Sequence, residues 1–383
     1  MLTNQRHLFD IPDDVAYLNC AYMSPLMKPA VEAGRAGLER KTRPWQIKAE
    51  DFFSEADLLR TSGAKLFGCE TQDLAIVPSA SYGVATAALN LPVKKGQEIL
   101  VLAEQFPSNY YPWDRVAREA GAELKFVEWP EDGNWTAAVL RELRDGVAIA
   151  ALPNVQWTSG GLLDLAKIGS ECRKVGAALA LDLTQSLGVY PFDVKTVQPD
   201  FAVAATYKWL LGPYSLGLLY VSPKWQGGKP LEENWIQRSN ARDFSSLIVY
   251  TDGYDEGARR FDMGERANFA LLPAAKRAIE QILEWGVAEI SAASGAHNQW
   301  LAERARELGF SCLEEPLRAP HYLCLRAEGR SLSGLVEAFA KVNVFVSVRG
   351  SSIRITPHVY NTARDLERLV GVLKGQVQPS LRY

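Results

Sequence analysis

The chain has little of what builds metal sites, disulfide frameworks or nucleotide cradles. Its five cysteines (Cys20, Cys69, Cys172, Cys312 and Cys324) are scattered, odd in number and never spaced CxxC. That pattern predicts reduced thiols in a cytoplasmic protein. There are only four histidines, His7, His297, His321 and His358, and no two share an element at metal-ligand spacing, so no zinc site is expected. An excess of charge of either sign is lacking: 42 basic against 45 acidic residues give a net −3, mixed along the chain. Such a balance speaks against a nucleic-acid tract or a membrane-surface patch. No apolar run reaches spanning length, and the N-terminus carries no charged-then-apolar leader. Neither GxxxxGK[ST] nor a GxGxxG following a strand occurs, which counts against nucleotide binding. Internal repeats and low-complexity tracts are lacking too.

What the 383 residues do have is 47% hydrophobic content, enough for a large core in two domains. From about residue 70 to 222, short β-rich runs alternate with helical patterns. Strands are predicted at 99–103, 123–127, 147–152, 177–183, 201–207 and 216–221, and helices at 81–90, 113–120, 136–145 and 165–175. This alternation implies an α/β fold, a mostly parallel sheet with helices on both faces, whose ligands sit outside the carboxyl ends of the strands. Beyond residue 223 the texture becomes turn-rich, and helices at 273–285, 287–308, 332–339 and 362–373 mix with strands at 322–325, 344–348 and 353–356. That reads as a smaller α+β domain. The predicted division is a large domain over 15–255 and a small one over 256–383 with 1–14. Leu366, Leu369, Val370 and Leu373 mark one face of the last helix, and Thr362 with Asp365 resembles a capping box at its start.

Lys208 is the most informative residue. It ends the run Phe201-Ala202-Val203-Ala204-Ala205-Thr206-Tyr207-Lys208, which holds no other ionisable side chain except the tyrosine. Burial disfavours an ammonium, so a lysine at the end of a buried strand either snorkels to solvent or becomes the neutral nucleophile that Schiff-base chemistry needs. Asp182 ends another apolar strand, 26 residues earlier by subtraction. It either caps the next element or faces a cation such as a protonated pyridine nitrogen. Ser79-Ala80-Ser81 leads from a strand into a helix, where free N–H groups and the helix dipole suit an N-cap or a phosphate. Phe106, at another strand end before Pro107, is either core or a surface on which a flat ring stacks. Arg354 alternates with Ile353 and Ile355 and so faces away from their packing side, either exposed or clamping a carboxylate. Arg349 is a competitor for that role.

Taken together, these residues resemble the class V aminotransferase family of pyridoxal-phosphate enzymes, of the aspartate-aminotransferase fold, which includes cysteine desulfurases, kynureninases and isopenicillin N epimerase-like proteins. The likeness runs from Tyr17-Leu18-Asn19-Cys20-Ala21-Tyr22-Met23-Ser24-Pro25 to Arg354-Ile355-Thr356-Pro357-His358-Val359-Tyr360-Asn361-Thr362. It implies pyridoxal 5'-phosphate as cofactor and a small α-amino acid as substrate. Lys208 resembles the Schiff-base lysine, Asp182 the pyridinium partner, and Gln185 the contact to the ring hydroxyl or to the lysine linkage. Ala80 and Ser81 resemble the phosphate cup, Phe106 the stacking aromatic, Asn154 a polar contact beside the ring, and Tyr207 the phosphate-binding tyrosine of kynureninases. Trp235 and Asn268 are similar to further phosphate contacts, Asn268 reaching from a neighbouring subunit of a homodimer. Arg354 resembles the carboxylate clamp. Two features depart from the family: Gly264-Glu265 stands where many members have Gly-Thr, and no cysteine lies between Val342 and Arg354, where a desulfurase carries its persulfide cysteine. The resemblance therefore implies an aminotransferase-type enzyme, with a lyase, hydrolase or epimerase of the same family, or a catalytically silent cofactor binder, as alternatives. An oxidoreductase that shares only the alternating pattern would lack its glycine fingerprint.

Overall fold

The computed structural model describes residues 2–327, 332, 334–349 and 352–376. Gly350 and Ser351, beside the expected clamp strand, and residues 377–383 of the expected small domain lie outside them.

Seven strands form the central sheet: β1 (Leu74–Val77), β2 (Glu98–Leu102), β3 (Glu123–Val127), β4 (Val147–Pro153), β5 (Ala178–Asp182), β6 (Phe201–Ala205) and β7 (Gly217–Val221). Their order is β1-β7-β6-β5-β4-β2-β3, parallel except that β7 runs against both neighbours. This is the mostly parallel α/β sheet the sequence predicts. The apolar runs arise because both faces are covered. Along β1, Leu74 and Ile76 enter one core while Ala75 and Val77 enter the other; along β2, Leu100 and Leu102 oppose Ile99 and Val101.

Helices α1 (Lys28–Arg40) and α2 (Ser54–Phe67) precede the sheet, and α3 (Ala80–Asn90), α4 (Tyr111–Ala120), α5 (Trp135–Glu142) and α6 (Leu165–Val175) connect its strands. α3 and α4 cover one face, through Val84, Ala87, Trp113 and Ala117. α2, α5 and α6 cover the other, joined by α7 (Leu271–Trp285) through Leu272, Ala275 and Ile279. The sequence-predicted helices start or stop within about three residues of these. The span 165–175 agrees at both ends because Asp164 accepts from Lys167 N at the start and Gly176, in the left-handed region at φ 74°, stops the helix.

A third core lies in the C-terminal part. Strands β8 (Leu323–Arg326), β9 (Ser347–Arg349) and β10 (Ser352–Ile355) form an antiparallel sheet ordered β9-β10-β8. Helices α8 (Val287–Glu307), α9 (Leu335–Lys341) and α10 (Ala363–Gln376) pack on it through Leu301, Phe339, Leu366, Leu369, Val370 and Leu373. The capping box is formed: Thr362 N donates to Asp365 Oδ2 at 3.0 Å and Asp365 N to Thr362 Oγ1 at 3.3 Å. The single strand expected over 344–348 is two. Its first half, Val344–Phe345, pairs in parallel with Ala16–Tyr17 and ties the N-terminal segment to this unit.

Candidate active site

The carboxyl ends of β1, β2, β4, β5 and β6 surround one cavity of about 290 Å³. Its wall includes Ser79, Ala80 and Ser81 after β1, Gln105 and Phe106 after β2, Val155 and Trp157 after β4, Asp182 at the end of β5 with Thr184 and Gln185 after it, and Tyr207 and Lys208 after β6. Seven of the positions singled out from the sequence, Ala80, Ser81, Phe106, Asp182, Gln185, Tyr207 and Lys208, thus meet in one place.

Lys208 sits in a tightly bonded turn. Thr206 N donates to the Leu216 carbonyl, Gly212 N to the Thr206 carbonyl and Leu211 N to the Lys208 carbonyl. Leu211 and Ser215 hold left-handed backbone at φ 52° and 66° within this turn, a conformation that non-glycine residues adopt at a cost of about 1–3 kcal/mol. From the N-terminal segment, Ser24 N donates to the Tyr207 carbonyl. The Lys208 side chain is 6% exposed and makes no ion pair among the described residues. Its Nζ lies 5.5 Å from the centre of the Phe106 ring and 5.4 Å from that of Tyr207. Burial lowers its pKa to about 8, against the opposing pull of Asp182 and with help from Arg354. About a tenth of the amine is therefore neutral at pH 7, far more than for a free lysine.

Asp182 accepts from Thr184 N at 3.0 Å. Among the described residues it pairs with no arginine, lysine or histidine, so its charge is free to meet a cation brought into the cavity. Thr184 ties the two strand ends together, its Oγ1 accepting from Ala205 N at 3.2 Å. At the mouth of β1, Ser79 is the N-cap of α3: its Oγ accepts from Tyr82 N and lies 2.8 Å from Ser81 Oγ. The first N–H groups of α3 have no intrahelical acceptor and point toward the cavity end of the helix. α3 lies close on the lysine strand because residue 83 is glycine: a Cβ there would meet Val203 Cγ2 at 2.6 Å.

Arg354, on β10, is 3% exposed. It donates from Nη1 to the Tyr322 hydroxyl at 3.3 Å and from Nη2 to Ser347 Oγ at 3.4 Å, while Nε has no partner among the described residues. Ser347 Oγ in turn donates to Asn19 Oδ1, and the Tyr322 hydroxyl to the Trp157 carbonyl. No carboxylate of the described residues neutralises this guanidinium. Ile353 and Ile355 pack in the third core on the opposite side of the strand, as alternation requires. Nothing is described of the Arg349 side chain.

Three expected contacts lie elsewhere in this chain. The Asn154 side chain turns from the cavity and donates from Nδ2 to the Leu163 carbonyl at 3.0 Å, closing the loop after β4. Trp235 packs against Phe52, Phe53 and Phe244. Asn268 accepts at Oδ1 from Ala270 N and Leu271 N at the start of α7. Sequence reasoning in turn passed over Gln105, Trp157, Tyr214 and Ser215, all of the cavity wall. The Gly212-Pro213 turn just after Lys208 was the available signal for Tyr214 and Ser215; nothing marked the other two.

This wall suits a flat, phosphorylated, pyridine-like ring. An unpaired carboxylate faces a protonated ring nitrogen, an open helix N-terminus with a serine hydroxyl faces a phosphate, a partly neutral buried amine faces a carbonyl carbon, and aromatic rings flank it. Comparison with known proteins agrees. The description "Aminotransferase class-V" matches residues 48–369. A probable cysteine desulfurase of Pyrococcus abyssi is 28% identical over 56% of this chain and 55% of its own length. That match spans about half of the relative. An uncharacterised aminotransferase, YcbU, of Bacillus subtilis is 26% identical over 95% of both chains, and a kynureninase of Bacillus cereus 24% identical over 86% of this chain and 80% of its own. Among solved structures, a lysine-to-alanine variant of C-DES with glycine linked to its PLP cofactor superposes at a TM-score of 0.86, with 20% identity, over 97% of this chain and 99% of that one. The cofactor of this protein is pyridoxal 5'-phosphate, and the chain belongs to the class V aminotransferase family.

Proposed function

We propose that this class V pyridoxal-phosphate enzyme acts on a small α-amino acid at its Cα and transfers the amino group. The observation that carries the reading is one cavity shared by a depressed-pKa lysine, an unpaired aspartate and an open helix N-terminus. Lys208 would hold the cofactor through its amine, Asp182 its ring nitrogen, and Ala80 and Ser81 its phosphate, with Gln185, Tyr207 and Phe106 around the ring. When bound, the cofactor supplies an electron sink that stabilises negative charge at Cα. The protein's residues do the rest. Arg354 holds the substrate carboxylate with the guanidinium N–H groups that Tyr322 and Ser347 leave over, Nε among them, Lys208 Nζ takes and returns the proton at Cα, and the buried wall keeps water from the lysine.

Elimination from a cysteine-like substrate is the second reading, supported by the desulfurase description of the Pyrococcus relative. Transfer of sulfur onto a protein thiol finds no support among the cysteines. Burial raises all five thiol pKa values, those of Cys69, Cys172 and Cys324 to about 12, and Cys20, Cys172 and Cys324 are enclosed. We carry forward a homodimer in which Asn268 serves the neighbouring subunit, a reading that its place outside the cavity wall of its own chain allows; sedimentation of the active enzyme as a monomer would refute it. A reducing, cytoplasmic setting suits five unpaired cysteines. No helix among the described residues is long and apolar enough to cross a membrane.

The deciding experiment incubates the holoenzyme with a panel of amino acids and a keto-acid acceptor. Amino-group transfer yields a new amino acid; elimination yields ammonia or sulfide. Lys208→Ala should abolish both the lysine-dependent visible absorbance and turnover. Retention of both would sink the assignment.

A further inference from the structure

Gln185 stands in the cavity wall beside Asp182 and Lys208. A side-chain amide accepts at one end and donates at the other, so the end that faces a ligand decides what it recognises. Here both ends have partners of fixed character. The indole Nε1 of Trp209, which can only donate, gives its hydrogen to Gln185 Oε1 at 3.0 Å. Gln185 Nε2 donates to the Ala21 carbonyl, which can only accept, at 3.2 Å. Exchanging the amide oxygen and nitrogen would set N–H against N–H and oxygen against oxygen. With these bonds made, one N–H of Gln185 is left for the cavity.

Trp209 is itself braced. It is fully buried, met edge-on by the His321 ring at 4.6 Å and 79° and flanked by the His358 ring at 5.8 Å. His321 Nε2 lies 2.8 Å from the Gln185 carbonyl oxygen, which requires the hydrogen on Nε2. Burial lowers the pKa of this imidazole to about 4, so it stays neutral at working pH. His321 therefore grips the main chain of Gln185 while its ring supports the tryptophan that grips the side chain.

We infer that Trp209 is a positioning residue: its indole N–H, braced by His321, fixes the Gln185 amide so that the cavity meets a hydrogen-bond donor suited to an anionic oxygen of the cofactor. The inference rests on the cofactor site proposed above. A donor held there favours the ionised form of that oxygen, so loosening it raises the pH at which the bound chromophore loses its proton. The test is a spectrophotometric pH titration of the holoenzyme in a double-mutant cycle of Trp209→Phe and Gln185→Ala. Each change should raise the chromophore pKa by roughly half a unit or more, and the double variant should shift no further than Gln185→Ala alone. A Trp209→Phe titration like the wild type's, or one whose shift persists in the Gln185→Ala background, overturns the inference. His321→Phe keeps the ring packing and removes only the grip on the main chain. If Trp209→Phe does not fold, His321→Phe decides instead: a shift in the same direction that vanishes in Gln185→Ala supports the inference, and no shift overturns it. A wild-type titration that survives Lys208→Ala would overturn the site itself, whereas a Lys208-dependent titration indifferent to these variants overturns only the role of Trp209.

Discussion

The two ends of the central sheet carry similar charges and treat them differently. At the amino end, Asp200, just before β6, accepts from Leu179 N at 2.8 Å and from Trp225 Nε1 at 2.6 Å. Asp73 in the same open groove accepts from Gln226 Nε2 at 2.7 Å and from Glu70 N at 3.1 Å. Both carboxylates there bind structure together. At the carboxyl end, Asp182 has one main-chain donor and Lys208 has no carboxylate partner among the described residues, while Arg354, on β10 of the other sheet but near enough to lower the Lys208 pKa, has an idle Nε. Lys208 and Arg354 are buried and Asp182 partly so, and a charge withdrawn from water without a partner is destabilising. Its persistence at one end and not the other marks where a ligand completes the structure.

The sharpest way to break this contrast is Asp182→Asn. The neutral amide no longer holds a ring nitrogen protonated, so kcat should fall by roughly 10²–10³ in steady-state assays, with little change in melting temperature. If activity survives, the carboxyl-end aspartate is structural like its amino-end counterparts. Next in size, Arg354→Lys keeps the charge but loses the two-pronged fork. KM for the amino acid should rise by about 10–100-fold, with a smaller change in kcat. An unchanged KM would remove Arg354 from the substrate site.

The carboxyl-end half of this contrast was legible in the sequence, because a charged residue ending an apolar run is visible without coordinates; the amino-end partners of Asp73 and Asp200 were not, since they come from distant segments. The strands were legible for the same reason: a sheet covered on both faces needs continuous apolar runs, as in Val147–Pro153 and Phe201–Ala205. What remained hidden depends on distant parts of the chain. Asn154 is a site residue only by what the family resemblance implies, and its side chain is claimed by the Leu163 carbonyl. The brace on Gln185 joins residues 185, 209 and 321, and no local pattern announces that contact. The helix expected over 136–145 stops at Glu142 because Leu143 turns extended, a departure that side-chain periodicity does not register.

The depressed pKa of Lys208 sharpens the comparison through pH. Reconstitution of apoenzyme with pyridoxal phosphate needs the neutral amine. Its rate should climb about tenfold per unit below pH 8 and level off near that value, where an exposed lysine would keep rising toward 10.4. Stopped-flow absorbance on the apoenzyme reads this directly. A rate still climbing steeply above pH 9 would place the lysine in water rather than in the buried wall.

The smallest effect should come from the amino end. Asp200→Asn keeps one acceptor oxygen but turns an NH₂ group toward either Leu179 N–H or the Trp225 indole, each of which needs an acceptor. The loss should be about 1–3 kcal/mol of stability by denaturant unfolding, with kcat and KM unchanged at temperatures where the variant stays folded. The site lies at the opposite end of β6 from Lys208, and nothing in the proposed chemistry reaches it. Should Asp200→Asn depress kcat as Asp182→Asn does, the division of the sheet into a structural end and a chemical end would fail, because the two aspartates would then be coupled along the paired strands β5 and β6 rather than separated by their length.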